Sequence, residues 1–404
     1  MMMKTRKERN EMKRSLCCLL LVCLLLFGCT APAVEITLLS ENAGVVMPIQ
    51  DETVTAYLSL PFEDSLSFLK ENSYQNTGIA HDSQNIILSW DGGDAPYTIA
   101  ISEQPGLEGA EIWTSSRKNL QTGIFYPETV YYWQVTDVNG NSSKIGSFTT
   151  GAGRRLITAR KTVKADGVQN VRDEGGFKTT DGKTVRYGML YRGGLLEFQG
   201  SVYSHNIIDE YGLDALNRLG IRTELDLRNE ADCGGQTKSP LKDCTYVRYP
   251  FTGYTSIFPS SVHTQSIFED TQSTQTFHEI FSLLADPASY PVYFHCLIGQ
   301  DRTGTLAYLI LGLIGVSYED IVRDYELTAF SKVGSMNRAA SFNFSGETTV
   351  TQEQAFTALH EVMMNCYGTE SGLLSDAVAN YLMTECRITE EQISAIREIL
   401  LEKE

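Results

Sequence analysis

The chain has 404 residues, 42% hydrophobic and 21% charged, which is the composition of a globular protein with room for about two to three domains. Its formal net charge is −17, so it carries no excess of lysine and arginine with which to displace counterions from a nucleic-acid backbone, and a nucleic-acid partner is excluded. The acidity reads as a solvated surface.

The N-terminus opens with a basic stretch, "MMMKTRKERNEMKR", followed by an apolar run from Leu16 to Phe27. That run is shorter than the roughly 20 residues of a membrane-spanning helix and fits a secretory signal. Its end, Leu26-Phe27-Gly28-Cys29, resembles the bacterial lipoprotein signal. The resemblance implies a signal peptide over 1–28, lipidation of Cys29 as the mature N-terminus and a tether over 29–34, "CTAPAV". The expected location is then an exported one, at a cell-envelope membrane surface through the lipid. The alternative is an ordinary signal peptide cut a few residues later.

Residues 35–150 carry a β pattern. "NIILSW" (Asn85–Trp90), "YTIAIS" (Tyr97–Ser102) and the stretch Thr129–Thr150 alternate apolar and polar residues, with Asn139-Gly140 as a hairpin signal. Trp90, Trp113 and Trp133, all the tryptophans of the chain, fall here. Short strands with aromatics at alternate positions describe an all-β sandwich. The run "YYWQVTD…GSFTT" resembles the end of a fibronectin type III-like domain. Residues 35–80 fit it less well and are expected to form an irregular extension. A spacer or docking role suits such a module.

"GAGRRLITARKTV" marks a boundary at Gly151–Val163, and an α/β domain is expected over 155–404. "YGLDALNRLGIRTELDLR" predicts a helix over Tyr211–Leu219, a cap at Gly220 and a strand over Ile221–Leu227. "TQTFHEIFSLLAD" is an amphipathic helix, "YPVYF" a strand buried on both faces, and "TGTLAYLILGLIGV" a central core helix. Ser317 is an N-cap, with Asp320 three residues on. The last 50 residues are helical by pattern. Cys233 and Cys244 bracket a loop-like segment and are either bridged or free, since disulfides are permitted outside the cell. No C-x-x-C pair follows Cys29, so a structural zinc site is not expected.

The stretch that carries chemistry is "YPVYFHCLIGQDRTGTLAYLILGL", 290–313. Cys296 ends an apolar strand, and a helix begins about six residues later. Gly299 permits backbone angles closed to other residues. Such a turn aims successive N–H groups into one concavity at a helix N-terminus, which favours an anion. Arg302 adds a planar fork that grips phosphate by two hydrogen bonds. A thiol at the base of this electropositive cup has a lowered pKa and is a nucleophile beneath a bound phosphate. No other cysteine of the chain has arginine six residues on.

With His295, Thr303 and Gly304, the loop "HCLIGQDRTG" resembles the signature of cysteine-dependent tyrosine phosphatases. It is nearest the bacterial tyrosine/serine and lipid phosphatase group, whose loop reads H-C-x-x-G-K-D-R-T-G. "NVRDEGGFKTTDGKTVRYGMLYRGGLL" (Asn170–Leu196), "LGIRTELDLRNEAD" and "GVSYEDIVRDYELT" resemble further motifs of that group. The resemblance implies a tyrosine-phosphatase-like α/β domain that works without cofactor or metal. Cys296 would be the nucleophile and form a phosphocysteine intermediate. Arg302 and the loop residues Leu297, Ile298, Gly299, Gln300, Thr303 and Gly304 would bind the phosphate. Thr303 would help the thiolate leave, and His295 would hold the loop and tune the thiol. Asp301 is the candidate general acid, with Asp226 competing. Arg172, Asp173, Arg192 and Arg228 would brace the site, or form structural ion pairs.

Gln300 departs from the group's lysine, which is associated with phosphoinositide acceptance. The change argues against highly charged lipids and leaves simple monoesters. The expected activity is therefore hydrolysis of phosphate monoesters, phosphotyrosine first, with a phosphorylated peptide or small phosphate ester as partner. The alternatives are a phosphatase for phosphoinositides or small phosphorylated metabolites, and a non-catalytic phosphate-ester binding or docking protein.

Overall fold

The computed structural model describes residues 35–40, 46–81, 85–153, 168, 170–196, 208, 210–253, 271–331, 341–344 and 348–403. The expected signal peptide, Cys29 and tether lie outside them, as does most of the boundary segment. The chain divides into two compact units, one built on 87–120 and 131–148 with the residues before 44, the other on 44–86, 121–130 and 149–404.

The strands of the N-terminal third are β1 (Thr37–Leu38), β2 (Val46–Met47), β3 (Ile86–Asp91), β4 (Tyr97–Ser102), β5 (Glu111–Ser115), β6 (Asn119–Thr122), β7 (Val130–Thr136) and β8 (Gly146–Thr150). They form two sheets, ordered β1-β3-β6 and β2-β8-β7-β4-β5. The apolar alternation works as period 2 requires: Leu88, Trp90, Ile99, Ile101, Trp133, Val135 and Phe148 are buried, while Ile87 and Val130 face outward. The Trp90 ring meets the Tyr97 ring edge-on at 5.2 Å, joining the two sheets.

Residues 35–80, expected to be irregular, instead contain helices α1 (Glu52–Ser59) and α2 (Phe62–Asn72). The Asp51 carboxylate accepts from Thr53 N at 2.8 Å and starts α1; Pro61 precedes α2. Val54, Tyr57 and Leu58 recur at helical, not strand, spacing, and Leu69 continues the apolar face on α2. These helices belong to the second unit.

That unit is centred on a five-stranded sheet, with β9 (Arg172–Asp173), β10 (Leu190–Gly193), β11 (Thr223–Asp226), β12 (Thr245–Arg248) and β13 (Val292–His295). Its order is β12-β11-β13-β10-β9, parallel throughout except for the edge pair of β9 with β10. The strands are short, and all but β12 are buried along their whole length; β13 carries the apolar run expected of a strand covered on both faces, while β9, β10 and β11 bury Arg172, Asp173, Arg192, Glu224 and Asp226 as well. Register places Gly193 beside His295, His295 beside Asp226, and Asp226 beside Arg248. All four lie at the carboxyl ends of the parallel strands, the edge of an open α/β sheet where ligands bind.

The helices of the unit are α3 (Glu210–Arg218), α4 (Thr271–Leu284), α5 (Asp301–Leu313), α6 (Tyr318–Glu326), α7 (Gln352–Tyr367), α8 (Leu374–Thr384) and α9 (Glu390–Leu400). Helix α5 is buried from Thr303 to Leu313, which explains an apolar stretch too short to span a bilayer. It packs closely on α8, where a Cβ at Gly312 would meet Leu374 and Val378 side chains at 3.2 Å. Ser317 caps α6 by accepting from Asp320 N, as the spacing predicts. No helix among the described residues is long and apolar enough to cross a membrane.

Because Leu309 is fully buried in this core, Leu309→Ala is expected to cost about 2–5 kcal/mol of stability. In urea titrations the midpoint should fall with little change in slope.

Candidate active site

Strand β13 runs down the middle of the sheet and delivers Cys296, 2% exposed, to its carboxyl end. The chain then turns through Leu297–Gln300 and enters α5 at Asp301. Gly299 sits at φ +73°, and a Cβ there would lie 2.5 Å from the Gly193 carbonyl carbon and oxygen. The turn therefore needs glycine twice over, for its backbone angle and for its approach to β10. Gly304 is similarly confined, its Cβ position 2.8 Å from the Tyr325 ring.

The loop is held from outside by a buried polar network. Asn170 Nδ2 donates to the carbonyls of Ile298 (3.1 Å) and Gly299 (3.0 Å) and to Thr328 Oγ1 (3.2 Å). Arg192 donates to the Gly299 carbonyl (3.1 Å) and to Asp324 Oδ2 (2.6 Å). Arg172 donates to Asp324 Oδ1 (2.9 Å) and to Asn170 Oδ1 (2.6 Å). In a planar trans peptide the carbonyl and the following N–H point opposite ways. Holding the 298 and 299 carbonyls outward thus turns the N–H groups of Gly299 and Gln300 inward, toward the cup above Cys296.

A second buried cluster supports β13. His295 contacts Glu224 Oε1 (3.1 Å) through Nε2 and the Cys296 carbonyl (2.9 Å) through Nδ1. Burial pulls this imidazole down, but the carboxylates of Asp226 and Glu224 outweigh it and leave its pKa raised. Arg228 binds Asp226 through Nε (2.9 Å) and through a terminal nitrogen (2.8 Å), and Tyr246 donates to Asp226 Oδ2 at 2.8 Å. Burial would raise the Asp226 pKa; the charges of His295 and Arg228 and the bonds from Arg228 hold it below the ordinary carboxylate value. Asp226 is thus buried and ionised with both oxygens engaged, which suits a brace and not a proton donor.

Around the sulfur the electrostatics favour the thiolate. Burial pushes the Cys296 thiol up, and the Asp301 charge adds to that. The Arg302 charge and the hydroxyl and N–H of Thr303 outweigh both, leaving the thiol below its ordinary pKa. Thr303 Oγ1 is fully buried and makes no hydrogen bond in this geometry, so the Cys296 thiolate is the partner its hydroxyl would take on ionisation. Arg302 is paired with Asp232 at 3.0 Å. Asp301, half-buried at the start of α5, accepts from Gln300 Nε2 at 3.3 Å.

The structure therefore gathers Cys296, Arg302, Asp301, Gln300 and Thr303 on the cup, with Arg172, Arg192 and His295 directly behind it. Arg228 and Asp226 act one layer further back, through His295. Asp173 braces the turn between β9 and β10: its oxygens accept from Gly175 N and Gly188 N, both at 2.8 Å. Asn170, Glu224, Asp232 and Asp324 complete the site without having been singled out from the sequence. The available signals were indirect, since Asn170 opens the stretch "NVRDEGG" and Asp324 lies in "VRDYELT". Cys233 and Cys244 are both free thiols, and burial raises the latter to about 11.

Alkylation of Cys296 by iodoacetamide across pH should show a midpoint below that of an ordinary thiol. Arg302→Ala removes the largest charge that lowers it, so the midpoint should rise. Gly299→Ala should cut the alkylation rate at neutral pH and the affinity for orthovanadate at least about tenfold, the scale of a small misplacement in a preorganised site.

Residues 163–402 match the tyrosine phosphatase family model. The chain is 33% identical over 127 residues to a tyrosine-protein phosphatase of Nostoc commune, an alignment spanning 29% of this chain and 43% of that protein. It is 26% identical over 206 residues to a candidate tyrosine-protein phosphatase of Cupriavidus necator, covering 46% of this chain and 67% of the relative. Among solved structures, the core catalytic domain of the PP-IP phosphatase SIW14 of S. cerevisiae, in complex with citrate, aligns over 37% of this chain and 75% of that one, at 17% identity and a TM-score of 0.24. With more than half of its length matched by one family model, the chain belongs to the tyrosine phosphatase family.

Proposed function

We propose that this protein is an exported phosphatase, lipid-anchored at Cys29, that hydrolyses phosphate monoesters, phosphotyrosine first, through a phosphocysteine intermediate and without a metal. The observation that carries the reading is Cys296, its thiol pKa lowered by the Arg302 charge and by Thr303, at the end of β13 in a loop whose 298 and 299 carbonyls are held by Asn170. In the first step the thiolate attacks phosphorus, an S–P bond forms, and the bond to the ester oxygen breaks. Arg302 and the loop amides stabilise the equatorial oxygens as charge develops. Asp301 gives its proton to the departing oxygen. In the second step water attacks the phosphocysteine, Asp301 takes the water proton, and the S–P bond breaks. The Thr303 hydroxyl stabilises the leaving thiolate, and inorganic phosphate departs.

The choice of Asp301 over Asp226 follows from access. Asp301 is only half-buried at the start of α5, whereas both oxygens of the fully buried Asp226 are engaged. Neutral Gln300 in place of a cation favours simple monoesters over polyphosphorylated lipids. The sheet orders β1-β3-β6 and β2-β8-β7-β4-β5 support a fibronectin type III-like sandwich over 35–150, interrupted by the helices of 52–72. Its role is that of a spacer or docking module.

The test is hydrolysis of a phosphotyrosine peptide in the presence of EDTA and a thiol reductant. The unaltered chain should turn over, and Cys296→Ser should be inert. Turnover surviving Cys296→Ser would refute the catalytic assignment. No turnover of peptide or aryl phosphates by the unaltered chain would favour a phosphate-ester binding protein. Asp301→Asn should lower kcat for phenyl phosphate by about 10²–10³-fold. The loss should be smaller for p-nitrophenyl phosphate, whose leaving group needs no proton; equal losses on both would remove Asp301 from the acid role.

A further inference from the structure

Helices α1 and α2 lie outside the family match at 163–402, yet they share a core with the segment that supports the phosphate loop. Val54, Tyr57 and Leu69 pack with Leu327, Ala329 and Phe330, all nearly or fully buried. The Tyr57 ring meets Phe330 edge-on at 5.3 Å. Polar contacts reinforce the seam. The Tyr57 hydroxyl donates to Glu326 Oε2, a carboxylate wholly removed from solvent. Arg323 donates to the carbonyls of Leu58 (2.9 Å) and Leu60 (2.6 Å), which end α1. Past α2, His81 N donates to the Phe330 carbonyl at 2.9 Å, and the His81 ring contacts Asp51 Oδ1 at 3.0 Å.

Between these anchored positions stands Thr328, in the 3-10 turn Leu327–Phe330. Its hydroxyl shares the Asn170 amide with the carbonyls of Ile298 and Gly299. Asp324, one turn earlier, holds Arg172 and Arg192, and Arg192 in turn holds the Gly299 carbonyl. One short stretch, 323–330, is thus gripped on one side by α1 and α2 and supplies on the other the acceptors that orient the loop. Buried polar groups of this kind have one favourable arrangement, so a shift on one side is transmitted to the other.

We infer that α1 and α2 are a positioning element for the phosphate loop, with Tyr57 as the residue that ties them to it. Neither helix touches the reacting atoms. They fix the 3-10 turn, which fixes Asn170, which turns the N–H groups of Gly299 and Gln300 toward the anion. The functional catalytic unit then begins near Asp51 and not at the family boundary, and the β strands of the N-terminal third are inserted between its first helices and its sheet. This inference rests on the proposed reading of the loop as an anion-binding catalytic site.

The test compares the full chain with Tyr57→Phe, which keeps the ring and removes the bond to Glu326. Thermal unfolding fixes a temperature at which both are folded, and there the pH midpoint of Cys296 alkylation and kcat/KM for p-nitrophenyl phosphate are measured. Tyr57→Phe should lower kcat/KM about tenfold, the scale of a small misplacement in a preorganised site. It should also move the alkylation midpoint upward, because amides turned away stabilise the thiolate less. A lower melting temperature with both quantities unchanged would show that the helices contribute stability alone, and would overturn the inference. Should Tyr57→Phe not fold, Val54→Ala trims the same seam without stranding a polar group and is read the same way. The alkylation midpoint needs no substrate, so a chain inert on every ester would defeat the phosphatase reading while leaving the coupling measurable.

Discussion

The site depends on keeping two carbonyl oxygens turned away from the sulfur. A loop of bare backbone has no preference for presenting its N–H groups to an anion; without restraint, carbonyls and amides alternate and cancel. Here the carbonyls of Ile298 and Gly299 are captured by the Asn170 amide and, at Gly299, by Arg192 as well. The network around Asp324 serves that capture. Asp324 sits between Arg172 and Arg192, so the two buried guanidinium groups share a counter-charge while each orients its own partner. Charges this deep are retained at a cost in desolvation, and removing any one leaves the others uncompensated. A network of that kind is better suited to fixing a geometry than to adding stability.

The same economy of charge governs the sulfur. A buried thiol ordinarily resists ionisation. Arg302 and Thr303 reverse that, but Asp301 works against them from the start of the same helix. The opposition is what two-step chemistry requires: a thiolate that is too stable attacks poorly, and an acid too far away delivers no proton. Asp232 draws the Arg302 guanidinium from the other side. The Arg302 guanidinium, proposed to bind phosphate, is therefore held by the Asp232 carboxylate while its charge also acts on the Cys296 sulfur.

Much of this was legible in the sequence, and the reasons for the remainder are physical. The loop declared itself because its chemistry is local: nucleophile, glycine, acid and arginine lie within seven consecutive residues. Strand β13 and α5 were legible because burial on all sides leaves apolar runs. Asn170 and Asp324 were not, because their role exists only across separations of 129 and 152 residues, to the Gly299 carbonyl and to Arg172. Asp226, in "LDLR", was the competing candidate acid, and only its partners Arg228 and Tyr246 disclose that its oxygens are engaged. Helices α1 and α2 were missed because a β pattern downstream coloured the reading of the whole N-terminal third, while the helical spacing of Val54, Tyr57 and Leu58 spans a single turn.

The contact between Gly299 and Gly193 has an evolutionary side. Loop and strand β10 meet backbone to backbone, with no side chain between them to lengthen, shorten or repack. Mutation cannot tune this spacing by degrees, because a first methyl group at position 299 meets peptide atoms that have no rotamer to change. Position 193 is closed from its own side, where a Cβ would fall 2.3 Å from the Tyr293 hydroxyl and 2.9 Å from Val171. Descendants of this sequence that keep the cup must keep both glycines together, and a lineage that loses either must rebuild the loop and the strand edge in a single move.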